Sequence, residues 1–132
     1  MSVDSIGDLL TVIRNGTFRA KPFVTVPLSK EKRAIVAVLK DEGFIRDVVE
    51  VVDELSERRF LKIFLKYHEG ESVIHELKRV STPGRRKYVS STGAMPVIGG
   101  LGLSILTTDK GIMSHKRARS LSVGGEILCT VW

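Results

Sequence analysis

With 132 residues the chain suits one domain or two small lobes sharing a boundary, and a 42% hydrophobic share is too high for a disordered tail. The formal net charge of +6 favours a polyanionic partner, and its distribution says more than its size. Between Leu77 and Arg119 lie nine of the 21 cations and one of the 15 acids, which leaves twelve cations against fourteen acids elsewhere. All the positive excess sits in that segment, as a phosphate-facing surface requires; a well-solvated basic face is the plainer reading. The one cysteine, Cys129, excludes an internal disulfide framework and fits a reducing compartment. The first residues lack the basic region and apolar run of a secretory signal, and no stretch nears the ~20 apolar residues of a membrane helix. A cytoplasmic protein without a membrane partner is expected.

Ile6, Leu9, Leu10 and Ile13 have the spacing of an amphipathic helix, capped by Asp4 or Ser5 and ended by a left-handed residue at Asn15-Gly16. Its outer face offers Thr11, Arg14 and Asn15. Phe23–Val26 reads as a strand closed by Pro27. Ser29 caps a second helix, with Ile35, Val38 and Leu39 inward, Lys30, Lys32, Arg33 and Lys40 largely outward, and Gly43 as its stop. Phe44–Val52 and Phe60–Tyr67 form an antiparallel hairpin around the polar turn Asp53–Arg58, with Leu61, Ile63, Leu65 and Tyr67 on one face. This order predicts a small α/β lobe, two helices on a three-stranded sheet, spanning residues 1–68.

His68–Ser72 reads as the boundary, and residues 69–132 as a mostly β lobe with one short helix, which makes the fold class α+β. Strands are expected over Val73–Val80, Arg85–Val89 and Leu101–Leu106, with a turn at Ser81-Thr82-Pro83-Gly84 and a loop at Ser90–Ala94. Thr107-Thr108-Asp109-Lys110-Gly111 forms a hydroxyl-rich turn. Ser114 then caps a two-turn helix that buries Ala118 and Leu121, and Gly124-Gly125 leads into the last strand.

The hydroxyls of Thr107 and Thr108, the Asp109 carboxylate and the Lys110 ammonium can meet RNA sugars, base edges and phosphate, although the same residues also build ordinary Ser/Thr turns. Arg86 and Tyr88 share a strand face, which places a guanidinium beside a ring able to stack on an unpaired base; a core tyrosine is the alternative. Glu126 is odd in a basic region. It either accepts from base amino groups or pairs with a nearby arginine. Lys116, with Arg117 and Arg119, offers phosphate contacts. Gly99-Gly100-Leu101-Gly102 precedes its strand and lacks a nucleotide-loop ending, so its glycines serve turns or close packing. His68, His75 and His115 lack metal-ligand spacing and Cys129 has no obvious histidine partner, so neither catalytic residues nor a metal are expected.

Several blocks together resemble the family of the eighth protein of the bacterial small ribosomal subunit. They are Asp4–Thr11, Ile13–Gly16, Ser29-Lys30, Val38–Ile45, Arg79–Gly84 with Arg86 and Tyr88, Gly100–Gly102, Lys110-Gly111 and Gly124–Glu126 with the terminal strand. They run colinearly over essentially the whole chain. The resemblance implies a two-lobe α+β protein that binds the central domain of small-subunit ribosomal RNA early in assembly. It implies a structural constituent beside neighbouring small-subunit proteins, monomeric off the ribosome, without catalysis or cofactor; some members also repress translation of their own messenger RNA. The contacts it implies are Thr107, Thr108, Asp109 and Lys110, with Glu126, Arg86 and Tyr88 nearby, and Lys30, Arg14 and Asn15 from the N-terminal lobe. Asp109 departs from the family's third hydroxyl: when ionised it accepts but cannot donate. Ser5 stands where the family often has proline. The competing reading from charge alone is a basic adaptor docking on acidic proteins.

Overall fold

Two groups of strands, each with helical cover, account for residues 4–91 and 102–132, which the computed structural model describes. The chain divides into two compact units, Thr11–Ile74 and the residues up to Leu10 with His75–Trp132. Most of the expected loop after Ser90 and the Gly99–Leu101 segment lie outside the described residues.

Helix α1 (Ser5–Phe18) starts on Asp4, whose Oδ1 accepts from the Gly7 N–H at 3.0 Å. It runs through the expected stop at Asn15-Gly16. The left-handed residue is Ala20 (φ 53°), and the Lys21 and Ala20 N–H groups donate to the carbonyls of Gly16 (2.9 Å) and Thr17 (3.2 Å), a Schellman closure. Gly16 is instead a packing residue: a Cβ there would lie 2.5 Å from Val24 Cγ1 and 3.0 Å from Leu65 Cδ1. Gly16→Ala gains ~1 kcal/mol of helix propensity but overpacks the helix–sheet seam by ~1–3 kcal/mol. Net destabilisation in urea unfolding is expected; a gain of ~1 kcal/mol would show that the seam yields freely.

Strand β1 (Phe23–Pro27), helix α2 (Lys30–Asp41), strand β2 (Ile45–Val52) and strand β3 (Arg59–Leu65) follow, in sheet order β1-β3-β2, antiparallel throughout. Ser29 Oγ caps α2 by accepting from the Lys32 N–H at 3.2 Å, and Gly43 (φ 83°) follows the helix as expected. The buried stripe of α2 is Ile35, Val36 and Leu39, with Val38 only half-buried. Lys32 is buried instead of facing out, because its methylene stem can lie along apolar surface. Leu61, Ile63 and Leu65 are buried on one face of β3, whereas Lys62 on the other holds its Nζ 4.1 Å above the Phe23 ring. Tyr67 does not extend β3. It opens the hairpin β4 (Tyr67–His68) and β5 (Glu71–Ser72), turned by Glu69 and Gly70, both left-handed (φ 51° and 81°). Its hydroxyl donates to the Lys21 carbonyl at 2.6 Å.

In the other unit the sheet order is β6-β10-β8-β9, with β7 pairing β10. Strand β6 (Leu77–Arg79) is shorter than expected, since the His75 and Glu76 N–H groups both donate to the Trp132 carbonyl. Strand β7 (Tyr88–Val89) is also short; before it, Thr82 and Arg85 exchange backbone bonds across Pro83-Gly84, which is the expected turn. Strand β8 (Leu103–Thr108) pairs with β9 (Gly111–Ser114), which the sequence did not reveal. Ser114 caps α3 (His115–Ser120), accepting from the Arg117 N–H at 3.2 Å, and β10 (Gly125–Val131) closes the sheet. Leu106, Met113 and Ile127 pack with Ala118 in one core. Leu121, expected inside, is 36% exposed because α3 ends before reaching it. The expected α+β class holds: helices on a three-stranded sheet, then a mostly β region with one short helix.

Candidate nucleic-acid interface

Strand register decides what the C-terminal unit presents. Opposite residues of antiparallel strands share a face. Tyr88 on β7 lies opposite Glu126 on β10, Glu126 opposite Thr107 on β8, and Thr107 opposite Ile112 on β9. The next residues along three of these strands, Ile127, Leu106 and Met113, carry the core on the other face. The sheet therefore lines up a ring, a carboxylate and a hydroxyl in one row, with neighbours about 5 Å apart.

Glu126 anchors the row. Its side chain is 12% exposed, and Oε2 accepts from Arg86 Nη1 at 3.1 Å and from the Ser81 hydroxyl. Ser81 Oγ in turn accepts from the Lys87 N–H at 3.1 Å, which locks the segment carrying Arg86 against β10. Burial pushes the Glu126 carboxyl up, but the Ser81 and Arg86 hydrogen bonds and the arginine charges outweigh it and hold it below the ordinary range. Both bonds fall on Oε2, so Oε1 keeps capacity to accept from a donor outside the protein. The arginine pairing foreseen for Glu126 is thus present, without consuming the carboxylate.

A depressed folded pKa stabilises above the unfolded value and is lost as pH falls through the folded one. Glu126 contributes stability at neutral pH that fades below about 4.5. Asp4 behaves alike: burial raises its pKa, while the Arg79 and Gly7 bonds and the arginine charges lower it further. Glu126→Gln is therefore expected to lower stability at pH 7 and to flatten the loss of stability between pH 7 and 4 in urea titrations. A variant parallel to the parent across that range contradicts the assignment.

Tyr88 is 70% exposed, which removes the core-tyrosine alternative. The hydroxyl turn is a two-residue hairpin, with Asp109 and Lys110 exposed at its tip. Thr108 belongs to the turn's own scaffold: its Oγ1 donates to the Gly111 carbonyl at 2.8 Å and accepts from the Lys110 N–H at 3.1 Å. Thr107 is half-buried in the row, and its hydroxyl makes no hydrogen bond among the described residues. Lys116 is exposed on α3. In the other unit, Arg14 and Asn15 are exposed on α1, and Lys30 is exposed as the first residue of α2.

Gly124 and Gly125 allow this closeness. A Cβ on Gly124 would lie 2.5 Å from the Val89 carbonyl oxygen, and one on Gly125 would meet the Thr107 carbonyl. Sequence reading missed Ser81, which is 45 residues from its partner Glu126 and carries no local signal beyond a turn. Cys129 is fully buried, and burial pushes its thiol up to about 12, which suits a core residue and not a nucleophile. Among the described residues no group of three or more His, Cys, Asp and Glu is placed to hold a metal, and no helix is long and apolar enough to cross a membrane.

The family described as "Ribosomal protein S8" matches residues 4–132. The chain belongs to the ribosomal protein S8 family. The S8 resemblance read from the sequence is thereby established over nearly the whole chain. Similar proteins include the small ribosomal subunit protein uS8 of Ruegeria pomeroyi, 51% identical over 129 residues that cover 98% of each chain. The uS8 of Rhizobium etli strain CIAT 652 is 50% identical over 98% of this chain and 97% of its own, and that of Dictyoglomus turgidum is 46% identical over the same shares. S8 is a family of small-subunit ribosomal proteins and not of enzymes.

Proposed function

We propose that this protein is a structural constituent of the small ribosomal subunit that binds the central domain of small-subunit ribosomal RNA directly and helps nucleate its assembly. The observation that carries the reading is the Tyr88–Glu126–Thr107 row ending beside the Asp109-Lys110 tip. It combines a stacking ring, an acceptor aimed away from the core, a hydroxyl suited to 2′-hydroxyls or base edges, and a cation for phosphate. Residues 69–132 act as the RNA-binding lobe, with Arg86 holding the carboxylate and Lys116 adding a phosphate contact. Residues 1–68 add Lys30, Arg14 and Asn15. The names of the relatives, all small-subunit proteins, support this placement. Neighbouring small-subunit proteins complete its surroundings on the cytoplasmic ribosome. The free protein is a monomer, needs no cofactor or catalysis, and binds its own messenger RNA wherever that RNA folds like its site in the central domain.

Sedimentation of a cell extract tests the assignment. The protein is expected to travel with small subunits and to move to the top of the gradient after ribonuclease. Retention on a protein partner that survives ribonuclease would favour a basic adaptor docking on acidic proteins.

A further inference from the structure

A second cationic surface lies on the other side of β10 from the hydroxyl turn. Lys78 and Arg79 of β6, Arg85, Arg86 and Lys87 of the segment before β7, and Thr130 of β10 line a groove of about 610 Å³ with no acidic residue among the described residues of its wall. Its five cations are not equivalent. Arg79 donates to both Asp4 oxygens at 3.3 Å and to the Leu128 carbonyl at 2.7 Å, and Arg86 is held by Glu126. Those two are spent on the fold. The side chains of Lys78, Arg85 and Lys87 are exposed and make no ion pair or hydrogen bond among the described residues.

We propose that this groove binds the RNA phosphodiester backbone through Lys78, Arg85 and Lys87, as a contact surface separate from the hydroxyl turn. Three uncommitted cations in one concave wall fit a run of phosphates better than a single small anion. Among its described residues the wall offers no aromatic ring for a base, so the contact positions the RNA without reading its sequence. β7 and β9 flank β10 and β8, so the groove side and the turn lie about three strand spacings, ~15 Å, apart across the sheet. That distance lets the protein hold two backbone segments around the nucleotides met by the row. The inference rests on the ribosomal RNA reading.

Counterion release gives the test. Each phosphate contact contributes a slope of about −0.9 in log K against log salt for duplex nucleic acid. Lys78→Gln/Arg85→Gln/Lys87→Gln is expected to shallow the slope for the central-domain RNA by roughly 3, removing about 40-fold of the affinity loss between 50 and 200 mM salt. Preference over a scrambled RNA should change little. The charge-conserving Lys78→Arg/Arg85→Lys/Lys87→Arg is expected to keep the parent slope. Arg58→Gln/Arg59→Gln/Lys66→Gln, equal in charge loss but in the other unit, is also expected to keep it. An unchanged slope in the groove variant, with the parent still preferring its RNA, overturns the groove while leaving the ribosomal reading intact. An equal change in the distant variant reduces the effect to net charge and overturns it as well. Calorimetric titration with inorganic phosphate is expected to show no saturation at millimolar concentration. Tight binding that the groove variant loses would assign the groove to a free phosphate instead.

Discussion

Gly125→Ala is expected to destabilise the C-terminal unit by ~3 kcal/mol or more and to reduce RNA affinity in the fraction that still folds. The added methyl would press on the Thr107 carbonyl, lying 3.0 Å from its carbon and 3.1 Å from Thr108 Cγ2. These atoms are held by the β8–β10 ladder, so relief requires the strands to part where Gly125 faces Thr108 and Glu126 faces Thr107. Displacing β10 there moves Glu126 away from the Ser81 and Arg86 donors and breaks the row. Urea unfolding at pH 7 measures the first effect. Gly84→Ala serves as the control, because a Cβ there meets nothing within 4 Å. Equal midpoints for the two variants would contradict the close-approach argument.

Thr108→Ala/Lys110→Ala is expected to lower affinity for the central-domain RNA by about 10- to 100-fold while leaving the unfolding midpoint nearly unchanged. The two substitutions act differently. Lys110 is an exposed cation at the hairpin tip, so its loss removes a phosphate contact and shallows the salt slope by about 1. Thr108 fixes the tip through its bonds to Gly111 and Lys110, so its loss lets Asp109 and Lys110 wander and costs pre-organisation. Thr108→Ser, which keeps the hydroxyl, should restore most of the binding lost through Thr108. Parent-like affinity in the double variant removes the turn from the interface. Loss of the folded state would mean that Thr108 matters to the hairpin more than to RNA.

Asp109 puts an acceptor that phosphate repels where the resemblance leads one to expect a third hydroxyl. It is exposed at the tip beside Lys110, in the position of a turn residue, and the turn's own hydrogen bonds come from Thr108. Asp109→Ser is therefore expected to leave the hairpin intact and to strengthen RNA binding a few-fold by removing the repulsion, read as affinity at 100 mM salt. Weaker binding would show the carboxylate accepting from a base.

Local chemistry made most of the fold legible. Ser29 and Ser114 announce their helices because a short hydroxyl before a helical run satisfies an orphan N–H, and Pro83-Gly84 announces its turn. Alternation in Leu61, Ile63 and Leu65 gives both the strand and its buried face. Errors arose where tertiary packing overrode a local signal. Gly16 looks like a helix stop and is a notch for Val24 and Leu65, while Ala20, with no propensity for it, takes the left-handed position. Strand β9 offers only Ile112 and Met113 between a turn and a cap, too few residues for a period to show. For the candidate interface, residue types and the Arg86–Tyr88 face could be read in advance. The row itself depends on the β7–β10–β8 register, and Ser81's role depends on a partner 45 residues away. No local pattern encodes either. The cationic groove shows the same limit: its charges are visible in the chain, but which of them the fold consumes is not.

Binding of the purified protein to a transcript of the small-subunit RNA central domain, against a scrambled competitor and over a salt series, tests direct recognition of that RNA. Tight binding that survives the competitor, with a slope set by a handful of phosphates, is the predicted result. Weak binding, equal for both RNAs and collapsing as salt rises, would contradict it and reduce the basic segment to a surface that merely attracts polyanions.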